Sequence, residues 1–282
     1  MKILVTGSEG LLGQQIIKLS HPDLDYFGAS KETLDVTNTK NVNLFFKNNS
    51  FDLIIHCAAY TAVDQAETDK ERCYDVNVKG TKNIAKQASK HNIPMVYISS
   101  DYVFDGNKTT PYSFNDLKNP INYYGYTKSL GEDVVTSTLS KYYIIRVSWL
   151  FGALGHNFVN TMLRLMNQRD SLNVINDQIG SPTYVKDVAD FISFIVKSDK
   201  YGIYHFTNEG FCSWYDYALE IANHIGYLGT IHPISSNQYR TNASRPQYSV
   251  LKKDYTLGYH YRTWKEALHE CLDRKEGYGF EE

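Results

Sequence analysis

Cysteine is scarce. Cys57, Cys73, Cys212 and Cys271 stand 16, 139 and 59 residues apart, a spacing unlike any paired-cysteine zinc or redox motif, so reduced structural thiols are expected. No stretch of about 18 apolar residues occurs, and MKILVTG reaches Thr6 and Gly7 before a secretory apolar region develops. Neither a membrane span nor a signal peptide is expected, which makes the cytoplasm the expected compartment. Charge of one sign never accumulates: 29 Lys and Arg stand against 31 Asp and Glu, and no run of either could neutralise phosphates or anionic lipid. Nucleic acid and membrane surfaces are therefore not expected partners. Internal repeats and low-complexity linkers are also missing. What is present is a 282-residue globular composition, 42% hydrophobic and 21% charged, long enough for one large domain or two modest ones.

The apolar pattern alternates. KILVTG (2–7), DYFGAS (25–30), LIIHCA (53–58), MVYISS (95–100) and YYIIRVSWLF (142–151) read as strands, and 11–19, 39–48, 66–91 and 123–138 as the helices between them. Strands this continuously apolar belong in a parallel sheet covered on both faces. Beyond residue 150 the order loosens into helices near 157–167, 185–198, 214–225 and 264–274, strands at 172–176 and 201–208, and a polar loop at 235–247. The expected fold is α/β, a Rossmann-like doubly wound parallel sheet with a smaller C-terminal substrate lobe. Residues 1–150 form the dinucleotide-binding domain, later segments interleave with it, and 151–282 mainly form the lobe, leaving a cleft between.

Gly7, Gly10 and Gly13 follow the first strand and open the first helix. Glycine there lets the turn close, lets backbone N–H groups approach a pyrophosphate, and lets the helix pack on the strand. This spacing resembles the extended short-chain dehydrogenase/reductase family. The second strand ends in Ser30, Lys31 and Glu32, where a hydroxyl beside a cation suits a 2′-phosphate and Glu32 opposes it. NADPH is the expected cofactor, with NADH the alternative.

A tyrosine precedes a lysine by four residues at three places: Tyr124 with Lys128, Tyr248 with Lys252 and Tyr261 with Lys265. Spacing alone selects none of them. Context selects the first, which lies on a predicted helix 24 residues after Ser100, at the end of an apolar strand where a doubly wound sheet presents ligand-binding groups. Hydride delivery to a ketone leaves an alkoxide that needs a proton, and an unperturbed phenol with a pKa of about 10 gives one reluctantly near neutral pH. A nearby ammonium is expected to ease that transfer, and the Ser100 hydroxyl to hydrogen-bond the same carbonyl oxygen.

The segments HCAAYTAVDQAE (56–67), SSDYVFDG (99–106), YGYTKSLGE (124–132), RVSWLFG (146–152), NDQIGSPTY (176–184), NEGFCSWYDYA (208–218) and RPQYS (245–249) together resemble the dTDP-4-dehydrorhamnose reductase family, in its order, from residue 1 to about 250. The resemblance implies NAD(P)H-dependent reduction of a C4 ketone on a nucleotide sugar. Tyr124 would be the proton donor, Lys128 would hold the nicotinamide ribose and tune the tyrosine, and Ser100 would orient the carbonyl. The cofactor would meet Gly7, Gly10, Leu11, Leu12, Gly13, Ser30, Lys31, Asp35, Val36, Ala58, Ala59, Tyr60 and Thr61. The sugar nucleotide would meet Ser100, Asp101, Tyr102, Trp149 and Arg245. Ser100 stands where the family usually has threonine, and the hydroxyl survives. No metal site is expected, because no carboxylate cluster maps onto the interfacial magnesium of certain relatives; a homodimer is allowed. Dehydratases place an acidic pair after the strand-end hydroxyl, whereas Asp101 is followed by Tyr102. The remaining alternatives are an epimerase or another 4-ketoreductase, and a non-catalytic regulatory subunit of methionine adenosyltransferase, against which the intact Ser100, Tyr124 and Lys128 set speaks.

Overall fold

A six-stranded, wholly parallel sheet organises the computed structural model, which describes residues 1–19 and 21–276. Its strands are β1 (Lys2–Thr6), β2 (Asp25–Ala29), β3 (Leu53–His56), β4 (Met95–Ser100), β5 (Tyr142–Val147) and a late strand, Gly202–His205, in the spatial order β2, β1, β3, β4, β5 and the late strand. The chain order reverses between β1 and β3, so their carboxyl ends leave a crevice that no crossover covers. Successive side chains face opposite sides of the pleat, as the apolar runs require: Ile3 and Val5 join one core, Leu4 the other.

Helices α1 (Leu11–Ile17), α2 (Thr39–Asn48), α3 (Val63–Ala66), α4 (Lys70–Tyr74), α5 (Thr81–His91) and α6 (Tyr123–Thr138) belong to the first 150 residues. Phe46 of α2, Ile84 and Ala88 of α5 and Val135 of α6 cover one face of the sheet, and Leu12 and Ile16 of α1 cover the other. The sequence reads 66–91 as one helix. In the structure a turn separates α3 from α4, and a π-helical stretch, Asp75–Gly80, separates α4 from α5. The wider turn brings buried Asn77 round to hold the loop after β3, a use typical of π-bulges.

Later residues return to the first half. Between β5 and the late strand run β6 (Leu150–Phe151), α7 (Phe158–Gln168), β7 (Ser171–Ile175), β8 (Ile179–Gly180), β9 (Thr183–Tyr184) and α8 (Val185–Ile195), and the late strand is therefore β10. After it come β11 (Cys212–Ser213), α9 (Trp214–Ile225), β12 (Thr230–Ile234) and α10 (Trp264–Glu276). Three small strand pairs, β7 with β12, β6 with β9 and β8 with β11, lie outside the six-stranded sheet. The predicted strand 142–151 breaks into β5 and β6 because Trp149 takes a left-handed backbone conformation, φ 46°. No described helix is long and apolar enough to cross a membrane.

One buried ion pair fixes α6 to the sheet. Arg146 on β5 donates from Nε and Nη2 to the two carboxylate oxygens of Glu132 on α6, both at 2.8 Å, and Ser99 on β4 donates to Oε1 at 2.6 Å. Both charged side chains lie almost wholly out of water, Glu132 at 1% exposure and Arg146 at 2%. Burial pushes the Glu132 carboxyl up, but Arg146, Ser99 and Lys118 outweigh it and hold it below its usual value. Its contribution to stability is therefore present above the unfolded carboxyl's pKa and lost as pH falls through the lower folded one. Arg146→Met should cost about 3–5 kcal/mol by leaving a buried carboxylate with only Ser99 and the more distant Lys118, and Glu132→Gln in the same chain should recover part of it. Denaturant melts check this, and equal stability of single and double variants would contradict it.

Candidate active site

The crevice between β1 and β3 holds a cavity of about 550 Å³. Gly7 turns the chain out of β1 with φ +64°, and a Cβ there would sit 2.7 Å from the Ala58 backbone. Gly13 packs α1 on that turn so closely that a Cβ would meet the Gly7 carbonyl oxygen at 2.3 Å. Gly10, at the N-cap of α1, supplies no side-chain cap, so the first amides of the helix remain available to an anion. On the opposite wall Thr6 Oγ1 meets the His56 ring at 2.7 Å and accepts from Ala58 N–H at 3.3 Å, tying the two strand ends together.

Of the residues expected to meet the cofactor, Gly7, Gly10, Ser30, Lys31, Asp35, Val36, Ala58, Ala59 and Tyr60 line this cavity. Lys31 is on the lining, Ser30 turns its hydroxyl to Glu32, donating at 2.8 Å, and Glu32 is outside the lining. Asp35 accepts from the Thr37 N–H and hydroxyl, which shapes the turn. Leu12 is a core side chain, Gly13 acts through the turn, Leu11 packs against the core, and exposed Thr61 lies off the lining. Glu9, Leu34, Thr37, Cys57, Asp69, Glu71, Arg72, Asp75 and Val76 complete the wall and were not read from the sequence. The α3–α4 break and the π-helical stretch bring Arg72 and Asp75 there, which a continuous helix conceals.

Behind the Cys57 end of this cavity stand the residues that the sequence expects to be catalytic. Asn122 caps α6, accepting from Gly125 N–H at 2.7 Å, and Tyr124, Lys128 and Glu132 follow at four-residue steps along one helix face. The Ser100 hydroxyl, at the end of β4, faces the Tyr124 phenol. Lys128 is 2% exposed, and its ammonium lies 4.1 Å from the centroid of the Tyr97 ring. Burial pulls Lys128 down to about 7 against the opposing field of Glu132. The expected lowering of the phenol by Lys128 is absent: burial raises Tyr124 above its ordinary value, with Ser100 opposing. A proton donor for ketone reduction starts as the neutral phenol, so this environment keeps it loaded.

Asp101 and Tyr102 sit beside this pair. Asp101 is buried and accepts from Ser100 Oγ at 2.9 Å, and the Tyr102 ring meets the Tyr124 ring edge-on at 6.0 Å. A strap formed by residues 244–249 crosses over them. Ser244 C=O accepts from Asn122, Tyr248 N–H donates to Gly106 C=O, and Ser249 N–H donates to Ile179 C=O. Arg245 on this strap departs from its expected role: its fork is taken by Asp64, with contacts of 3.2 and 2.5 Å, so a diphosphate would have to displace that carboxylate. Trp149 stacks on Trp214 at 3.5 Å, and Trp214 donates to Gln178 at 3.2 Å, so its indole is part of a stacked pair rather than an isolated platform.

The model of the RmlD substrate binding domain matches residues 1–276. A dTDP-4-dehydrorhamnose reductase of Aggregatibacter actinomycetemcomitans is 38% identical, over 95% of this chain and 97% of that one. The chain belongs to the dTDP-4-dehydrorhamnose reductase family. A solved reductase of this family from Clostridium acetobutylicum is 40% identical and superimposes with a TM-score of 0.95, covering 98% of this chain and all of that one. One from Bacillus anthracis, in complex with NADP, is 37% identical with a TM-score of 0.94, covering 97% and 99%. Among the described residues no three His, Cys, Asp or Glu side chains are grouped to hold a metal ion.

Within this family framework Asn77 is a residue that spacing did not reveal. Its amide accepts from Tyr60 N–H at 2.8 Å and donates to Tyr60 C=O at 3.2 Å and Thr127 Oγ1 at 3.0 Å, joining the cavity wall to α6. Asn77→Ala should cost about 1–3 kcal/mol through unsatisfied buried groups. Hydrogen exchange at the Tyr60 amide should accelerate, and unchanged protection there would remove this role.

Proposed function

We propose that this chain is a dTDP-4-dehydrorhamnose reductase, reducing the C4 ketone of dTDP-4-dehydro-6-deoxy-L-mannose to dTDP-L-rhamnose with NADPH. The observation that carries the reading is the Ser100 hydroxyl facing the Tyr124 phenol, one helical turn from Lys128, whose ammonium feels the Cys57 thiol of the glycine-turn cavity wall. The cavity chemistry fits a dinucleotide: a turn that a Cβ would obstruct, uncapped helix amides, and Lys31 on the lining. NADPH, when bound, supplies the hydride. Lys31 and Ser30 favour the 2′-phosphate form, as does the NADP bound by the relative from Bacillus anthracis.

The protein's own residues supply position and the proton. Ser100 donates to the substrate carbonyl oxygen, which aligns it with the phenol and stabilises the charge that develops there. Tyr124 then gives up its O–H proton to that oxygen. Lys128 holds the nicotinamide ribose and places a positive charge beneath the site. Trp149, backed by Trp214, offers an apolar face to the deoxysugar, and Arg245 takes the diphosphate once Asp64 yields. Residues from both lobes thus enclose the sugar nucleotide, and a homodimer is compatible with this arrangement.

An activity panel crossing dTDP and UDP 4-ketosugars with NADPH and NADH tests the reading, and no nucleotide oxidation in any combination would refute it in favour of a binding role. Tyr124→Phe should lower turnover at least on the order of 100-fold while NADPH affinity stays unchanged. Because Lys128 loses its charge as pH rises through about 7, NADPH binding should weaken between about pH 6 and about pH 8. Fluorescence titration should show this slope in the native enzyme and a flatter one in Lys128→Met; parallel curves would detach Lys128 from the cofactor.

A further inference from the structure

Every turnover strips Tyr124 of a proton, and a seated sugar nucleotide would cover the side of its ring that faces the cleft. The carboxyl whose field reaches the Tyr124 phenol is that of Asp101. Its carboxyl is 2% exposed, Oδ1 lies 2.9 Å from Ser100 Oγ, and Oδ2 is buried without a hydrogen-bond partner. The same Ser100 hydroxyl faces the Tyr124 phenol. The groups around the carboxyl are neutral: the Ser100 and Ser249 hydroxyls, the Tyr102 amide, and the Tyr102 and Tyr124 phenols. Arg245 interacts with Tyr102, and its fork is taken by Asp64. A carboxylate buried without a cation is costly, and a carboxylic acid with one O–H to donate is not.

We propose that Asp101 is the internal proton store for Tyr124, returning a proton through the Ser100 hydroxyl to the phenolate left by ketone reduction. This rests on the reductase reading above and adds a proton source to it. The balance closes. Hydride adds to C4, the carbonyl π pair takes the Tyr124 proton, the phenolate takes the Ser100 proton, and Ser100 takes the Asp101 proton. No bond other than these O–H bonds is made or broken in the relay. Asp101 ends as carboxylate and regains a proton from water when the product leaves and the cleft opens. Consistent with such a store, burial raises its carboxyl to about 7, with Ser249 and Ser100 opposing, so it is loaded below neutral pH and empties above. Asp101 acts through Ser100, so it is a positioning and proton-supplying residue rather than one that touches the reacting carbon.

The competing role is simpler: Oδ2 accepts a hydroxyl of the sugar. Two measurements on the full-length, NADPH-loaded enzyme separate them. Infrared difference spectra of native against Asp101→Asn protein at about pH 6 should show one protonated-carboxyl band that disappears above neutral pH. Its absence overturns the store whatever the substrate. With dTDP-4-dehydro-6-deoxy-L-mannose, Asp101→Asn should lower kcat on the order of 100-fold with KM nearly unchanged. The native proton inventory in mixed H2O and D2O should be bowed, and that of the variant linear. A raised KM with intact kcat, or a linear native inventory, overturns the proposal. If the native enzyme turns over none of the 4-ketosugars, the reductase reading fails, and the infrared band alone then decides whether Asp101 stores a proton. Should Asp101→Asn not fold, the native inventory and the native band's pH dependence still decide.

Discussion

The Glu132–Arg146 pair is the constraint on which the site depends. Tyr124, Lys128 and Glu132 share one face of α6, so anchoring the third to β5 and β4 sets the axial rotation of the helix and the direction of the other two. A hydrophobic contact would tolerate sliding. Two parallel N–H···O bonds out of water do not, because each displaced bond leaves a buried charge unsatisfied. The same carboxylate lies one turn from Lys128 and supports its charged form against burial. Position and electrostatics of Lys128 thus share one origin.

Burial acts on the site in opposing ways. It raises the Tyr124 phenol and the Asp101 carboxyl and lowers Lys128, each toward its neutral form. For an oxidation, which begins by removing a proton, the raised phenol would be a handicap. For a reduction it keeps the donor protonated, and the difficulty moves to reloading it between turnovers. The buried neighbours of the phenol therefore matter more than its own acidity, and Ser100 stands where carbonyl, phenol and carboxyl meet.

Much of this was legible along the chain. The five leading strands, the glycine turn and the Tyr124, Lys128 and Ser100 set follow from apolar periodicity and from the chemistry those side chains allow. Local signals failed where a distant partner decides the outcome. The run 66–91 has helical character throughout, yet Asn77 must reach Tyr60 and Thr127, so the helix widens there and Arg72 and Asp75 reach the cavity. Arg245 reads as a free cation until Asp64, far away in sequence, occupies its fork. YYIIRVSWLF reads as one strand until the Trp214 ring, a glycine-width approach at Gly180 and the Thr183 N–H bond to Trp149 C=O hold Trp149 in a left-handed turn.

By itself the sequence determined which strands are buried on both faces, which turn admits a phosphate and which residues could move a proton, because hydrophobic period, steric freedom and acid–base chemistry are properties of neighbouring residues. Tertiary structure alone decided which charges are spent on each other. Whether Arg146, Arg245 or Asp101 is paired, available or protonated depends on desolvation and on partners tens to hundreds of residues away, and only the folded chain brings those together.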